Sequence, residues 1–306
     1  MAGVALLFPG QGSQEVGMGR DLYDRFPAAR EVFERADRLL GFFLSQLCFE
    51  GPAERLNDTL YTQPAVFTTS VAALRAMEPQ LEGVACVAGH SLGEFAALVA
   101  ADALPFDEGM ALVQERARLM REAGERSPGG MVAVIGLGVE EVEGVCAQVR
   151  EETGEYVGVA NDNCPGQVVI SGTETALSAA AEAAKAAGAR RVIRLAVSIA
   201  PHSPLMAEAA EMFRRALAKA PFRPPKVPFV ANGTARPVTD PDQIREVLGR
   251  QLTSPVHWTD SIRWMIDQGV RRFIEVGPGS VLTGLLRRID RTVERLTTSQ
   301  VLGLEG

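Results

Sequence analysis

Residues 84–98 read VACVAGHSLGEFAAL: a short apolar run, then Gly-His-Ser-Leu-Gly, then a stretch with helical spacing. Val84 to Ala88 has the length and composition of a buried strand, so the segment predicts strand, sharp turn and helix in succession. That is the setting in which a GxSxG pattern becomes a nucleophile elbow. Glycines at 89 and 93 give the turn its room and let helix and strand pack closely, which leaves the Ser91 hydroxyl standing at a helix N-terminus. There the backbone N–H of Leu92 and the helix dipole can stabilise an oxyanion. A glycine-rich turn whose serine only caps the helix fits the same letters.

On either side of this segment, apolar runs alternate with helix-forming sequence: Val4 to Phe8, Val227 to Val230 and Arg272 to Val276. The alternation predicts an α/β fold with a mainly parallel sheet. Between about Gly130 and Ser198 the order changes to MVAVIG, VEEVEGVCAQVRE, YVGVAND, GQVVISG, TETALSAAAEAAKAAGA and RRVIRLAV. This order is β-α-β-β-α-β, a ferredoxin-like module. The expected organisation is therefore a small subdomain, 129–198, inserted into a discontinuous catalytic unit of 1–128 and 199–306. Ser127 to Gly130 and Ile199-Ala200-Pro201 are the expected hinges, because Gly and Pro punctuate both points.

With 306 residues, 46% of them hydrophobic, the chain can bury a full core. A net charge of -7 gives no long-range attraction for nucleic acid, so any anion site must be local. Cys48, Cys86, Cys146 and Cys164 lie far apart with no CxxC pair, which argues against a zinc site and fits a reducing, cytoplasmic compartment. The opening MAGVALLFPGQGSQ lacks a basic leader and no apolar run is long enough for a membrane span, so neither secretion nor membrane insertion is expected.

A serine nucleophile needs a base, and the chain holds three histidines. His90 adjoins Ser91 and should point away from it. His257, in SPVHW, reads better as a packed structural imidazole. His202, in APHSPLM just after the last strand of the small module, is the favoured base, with His257 second. The segment 107–124, DEGMALVQERARLMREAG, predicts one helix ended by its glycine. Within it Arg116 has Leu112, Val113, Leu119 and Met120 at helical offsets, so it faces the core, whereas Arg118 faces Glu115 and Glu122. An inward guanidinium requires an anion, supplied either by a protein carboxylate in a structural pair or by a substrate carboxylate in a two-pronged contact. FPGQGSQ, 8–14, lacks the Lys-Ser/Thr of a phosphate loop and is read as an oxyanion-side loop. Asn161 and Asn163 in NDNCPGQ are read as either cleft-lining or turn-forming.

Taken together, the chain resembles the malonyl-CoA:acyl carrier protein transacylase family. FPGQGSQ at 8–14, GHSLGEFAALVAA at 89–101, the Arg116 helix, NDNCPGQVVISG at 161–172, HSPLM at 202–206, QLTSPVHW at 251–258 and EVGPGSVLTGLLRR at 275–288 carry the likeness in order. The resemblance implies an α/β-hydrolase-like core with an inserted ferredoxin-like subdomain. It also implies malonyl transfer from coenzyme A to a carrier's phosphopantetheine thiol, and no permanently bound cofactor. By position, Ser91 is the nucleophile, His202 the base, Arg116 the group that binds the free carboxylate, and Gln11 and Leu92 the oxyanion donors. The main-chain carbonyl of Gln251 orients the imidazole in place of a third acidic member. The implied partner is an acidic acyl carrier protein, for which Lys185, Arg190, Arg191, Arg194, Arg287 and Arg288 are docking candidates, and a monomer is expected. Pro201 stands where many relatives have an aromatic or a serine, which leaves malonyl and branched units both open. A polyketide-type transferase and an acyl hydrolase would share the same elbow.

Overall fold

The computed structural model describes residues 3–304. Among them eleven strands form two sheets: β1 Val4–Phe8, β2 Val84–Gly89, β3 Gly129–Ile135, β4 Val157–Cys164, β5 Gln167–Thr173, β6 Arg191–Arg194, β7 Phe229–Ala231, β8 Arg236–Val238, β9 Val256–His257, β10 Arg272–Glu275 and β11 Glu294–Thr297. The larger sheet runs β11-β10-β1-β2-β7-β8 and is parallel except for the β7–β8 pair. Leu6 and Phe8 of β1 enter one hydrophobic cluster with the helices Thr59–Met77 and Phe106–Arg126, while Ala5 and Leu7 enter another with Trp258, Ile262 and Leu286. Burial on both faces explains why these strands read as continuous apolar runs.

The second sheet runs β6-β3-β5-β4-β9. Its first four strands pair antiparallel, and the helices Val139–Thr153 and Glu174–Ala186 cover one face through Val142, Cys146, Leu177 and Ala180. β9, contributed by the C-terminal half, adds to β4 in parallel, Asn161 opposite Val256 and Asp162 opposite His257. The backbone N–H of His257 also donates to the Asn232 carbonyl beyond β7. One short strand thus joins the two sheets, and it was not anticipated.

Two local expectations are corrected. The helix that was to end at Gly124 continues to Arg126; that glycine is there for packing, since a Cβ would stand 2.1 Å from the Ile199 Cγ2. Gly129 and Gly130, expected in a hinge, open β3 and pair with Thr173 and Gly172. No helix among the described residues is long and apolar enough to cross a membrane.

Candidate active site

The elbow forms as the sequence predicts. β2 ends at Gly89, the helix Gly93–Ala100 begins four residues later, and Ser91 between them holds a left-handed φ of 51°. That strained conformation turns the side chain out of the strand-helix corner. Packing enforces it: a Cβ at Gly93 would stand 2.1 Å from the Phe8 carbonyl oxygen, and one at Gly10 would stand 2.4 Å from the His90 carbonyl oxygen. The loop after β1 therefore lies directly on the elbow. Neither the Gln11 nor the Leu92 N–H donates to a protein acceptor among the described residues.

His202 reaches Ser91, its Nε2 lying 2.8 Å from Oγ. Its Nδ1 faces two carbonyls, Gln251 O at 2.9 Å and Ser254 O at 3.0 Å. Carbonyls only accept, so Nδ1 carries the hydrogen and Nε2 presents its lone pair to the Ser91 hydroxyl. Burial, followed by the nearby Arg116 charge, pushes the imidazole down to about 3. It is therefore neutral at pH 7 and able to accept a proton.

Arg116 is buried, 1% exposed, on the inward face of its helix. Its Nε donates to Gln251 Oε1 at 2.9 Å, Nη1 to Gln63 Oε1 at 2.7 Å and Nη2 to Ser91 Oγ at 3.0 Å. Among the described residues no carboxylate bonds to it. Burial lowers it to about 10 while Glu94 opposes the fall, so it stays cationic at neutral pH. Two neutral amides anchor the guanidinium, and its remaining Nη2 edge points at Ser91 Oγ. Arg118 pairs with Glu115 and Glu122 on the outer face.

His90 turns away, its Nε2 2.8 Å from Asn163 Oδ1 and its ring edge-on to Trp258. Asn163 thus ties β4 to the elbow. His257 lies outside the cluster, in a shallow groove with Asp260, Arg263 and Trp264. A cleft of about 480 Å³ begins at Gln11 and runs between Thr59, Arg121 and the 196–199 segment. Of the basic residues considered for docking, Lys185 pairs with Glu182, Arg194 with Glu174, and Arg288 holds Gln167 and the carbonyls of the preceding turn.

Three further residues complete the site without a distinctive signal in the sequence. Asn232 accepts the Ser91 N–H at 2.6 Å and donates to Gly89 O at 2.6 Å; its Asn-Gly pair signalled only a turn. Gln63 is fully buried in the helix Thr59–Met77, and a lone amide in that apolar stretch was the available signal. Glu94 passes for an ordinary first-turn acid. Among the described residues no group of three or more His, Cys, Asp or Glu could hold a metal.

Residues 5–305 match the acyl transferase domain family. The chain belongs to that family. A malonyl CoA-acyl carrier protein transacylase of Bacillus subtilis (strain 168) is 44% identical over 299 residues, 98% of this chain and 94% of the relative. An acyl carrier protein S-malonyltransferase of Vibrio cholerae, solved by crystallography, superposes on this acyl transferase with a TM-score of 0.92 at 43% identity, covering 96% of each chain. A malonyl-transacylase solved in complex with its type II polyketide synthase acyl-carrier protein gives a TM-score of 0.92 at 41% identity, covering 96% of this chain and 94% of that one. These relatives carry the activity to which the sequence motifs pointed.

Proposed function

We propose that this acyl transferase moves a malonyl group from malonyl-CoA to the phosphopantetheine thiol of an acyl carrier protein, through an ester on Ser91. The observation that carries the reading is the convergence of His202 Nε2, at 2.8 Å, and Arg116 Nη2, at 3.0 Å, on one hydroxyl. His202 takes the Ser91 proton as Oγ attacks the thioester carbon, and the tetrahedral oxyanion is met by the Gln11 and Leu92 N–H groups. As the C–S bond breaks, His202 returns the proton to the departing thiolate, leaving free coenzyme A and a malonyl ester. In the second half the carrier thiol gives its proton to His202 and attacks that ester. The C–O bond then breaks and Ser91 is protonated again.

Arg116 supplies the choice of acyl group: with no protein carboxylate on it, the free carboxylate of malonate is the anion its fork accepts. An acetyl group would leave the charge unpaired in a buried pocket. No permanently bound cofactor is needed for either half-reaction. Exposed Arg190, Arg191 and Arg287 remain the candidates for meeting an acidic carrier. A polyketide carrier is the second reading, favoured by the relative solved with such a partner.

Two fold assignments belong to the same proposal. Residues 129–198 are read as a ferredoxin-like insert, supported by the β6-β3-β5-β4 order with both helices on one face. The remainder is read as an α/β-hydrolase-like core, supported by the elbow at the end of a central parallel strand.

Transfer assays with holo carrier protein and two donors test the function. Wild type should load malonyl and exclude acetyl. In Arg116→Ala, malonyl kcat/KM should fall by about 100-fold or more while acetyl transfer is spared or gained. Equal losses on both donors, or an acyl-enzyme that water discharges as fast as the carrier does, would contradict the reading.

A further inference from the structure

Glu94 is buried, 1% exposed, and touches none of the reacting atoms, yet both of its oxygens are engaged at the site. Oε1 accepts the Asn232 N–H at 2.7 Å, and Oε2 accepts Gln251 Nε2 at 2.5 Å. The same Gln251 Nε2 donates to the Ser91 carbonyl at 2.9 Å, and Gln251 Oε1 accepts Arg116 Nε at 2.9 Å. An amide has a donor end and an acceptor end, so its orientation here has consequences. Reversed, Gln251 would set its oxygen against a carboxylate and a carbonyl, and its NH₂ against the N–H of Arg116.

Resting on the proposed function, we infer that Glu94 is a positioning residue for acyl-group selection: it fixes the Gln251 amide so that Arg116 is aimed at the substrate carboxylate. Of the two acceptors on Gln251 Nε2, Glu94 is the one that can carry charge, and a charge-assisted bond is the stronger. The placement also separates two needs. Burial pushes the Glu94 carboxyl up to about 7 against its hydrogen bonds and the Arg116 charge, so its ionised form, populated above that value, offsets the buried Arg116 charge through space. Because the Gln251 amide stands between them, the Nη2 edge is left for a ligand. A carboxylate bonded directly to the guanidinium would compete for the contact that malonate needs. Held at Nε by Gln251 and at Nη1 by Gln63, the planar group has one free edge, and that edge meets Ser91 Oγ.

Replacing the carboxylate by an amide of the same shape removes the charge and one of the two acceptor oxygens, so Asn232 N–H and Gln251 Nε2 can no longer both be accepted, and leaves the dyad in place. In Glu94→Gln the ratio of malonyl to acetyl kcat/KM should fall at least about tenfold, mainly through malonyl KM, while Ser91 remains reactive toward a neutral acylating reagent. Gln251→Leu, which keeps the backbone carbonyl on His202, should lower the same ratio. The double variant should lower it no further than the greater single effect, because the first residue acts through the second. Should Glu94→Gln not fold, Glu94→Asp, which withdraws the charge by one methylene, must lower the ratio instead. A ratio that stays at the wild-type value, or effects that add in the double variant, would overturn the inference. A wild type that takes malonyl and acetyl equally would instead overturn the role of Arg116, so the two failures are distinguishable.

Discussion

His202 can accept a proton from the Ser91 hydroxyl because its environment keeps it unprotonated. His202 is buried beside a permanent cation, and its Nδ1–H is committed to the Gln251 and Ser254 carbonyls. The imidazole in the folded chain therefore titrates near 3, below the ordinary value of 6.5. The unfolded chain takes up a proton through 6.5 while the folded one does not. This group's contribution to stability is thus present above 6.5 and is progressively lost as pH falls from there toward 3. Nitrogen NMR of the His202 ring should show one neutral tautomer, protonated at Nδ1, from about pH 8 to about pH 5; a titration near the ordinary imidazole value would contradict the geometry. His202 itself was legible in the sequence from its place after the last strand of the small module, and Arg116 from four apolar neighbours at helical offsets. Gln63, Glu94 and Asn232 were not. Each acts by bonding a partner distant in sequence, 53 residues from Gln63 to Arg116, 157 from Glu94 to Gln251 and 141 from Asn232 to Ser91, and no local pattern encodes such a pair.

Among the elements, the elbow is where sequence constrains structure most tightly. A Cβ on Gly89 would stand 1.9 Å from the Gly93 carbonyl carbon, and one on Gly93 would meet the Phe8 backbone. Backbone cannot yield as a side-chain tip can, so Gly93→Ala must push the helix Gly93–Ala100 off β1. A loss of about 3 kcal/mol or more is expected in denaturant unfolding, with the loop after β1 displaced as well. A change below about 0.5 kcal/mol would show that helix and strand are not so closely packed. This reading was available from GHSLG alone because the turn demands glycine on both sides. The extension of the Arg116 helix past Gly124 was hidden for the opposite reason. A glycine at a helix end and one buried against Ile199 look the same until the neighbour is known.

Across the whole molecule, β9 is the element that makes two sheets one structure. It pairs with β4 while its His257 N–H bonds the residue that follows β7, and Cys164 at the end of β4 packs in the same cluster as Trp258 and Leu286. Two residues are too short a strand to show a period, which is why SPVHW gave no strand signal. The alternation of strands and helices, and the change of order between 129 and 198, were legible because each depends on runs several residues long. With β9, Asn163 on His90 and Arg288 on the 165–167 turn all crossing between the sheets, calorimetric unfolding should show a single cooperative transition. Two separable transitions, the insert melting alone, would contradict this coupling.

On the proposed function, one hydroxyl, that of Ser91, served by His202 and faced by Arg116, carries the acyl group. Intact-mass and peptide spectrometry after brief mixing with malonyl-CoA tests it most directly. A single malonyl ester is expected on the peptide bearing Ser91 and none in Ser91→Ala; an adduct that persists in that variant, or that maps to another residue, would refute the role of Ser91.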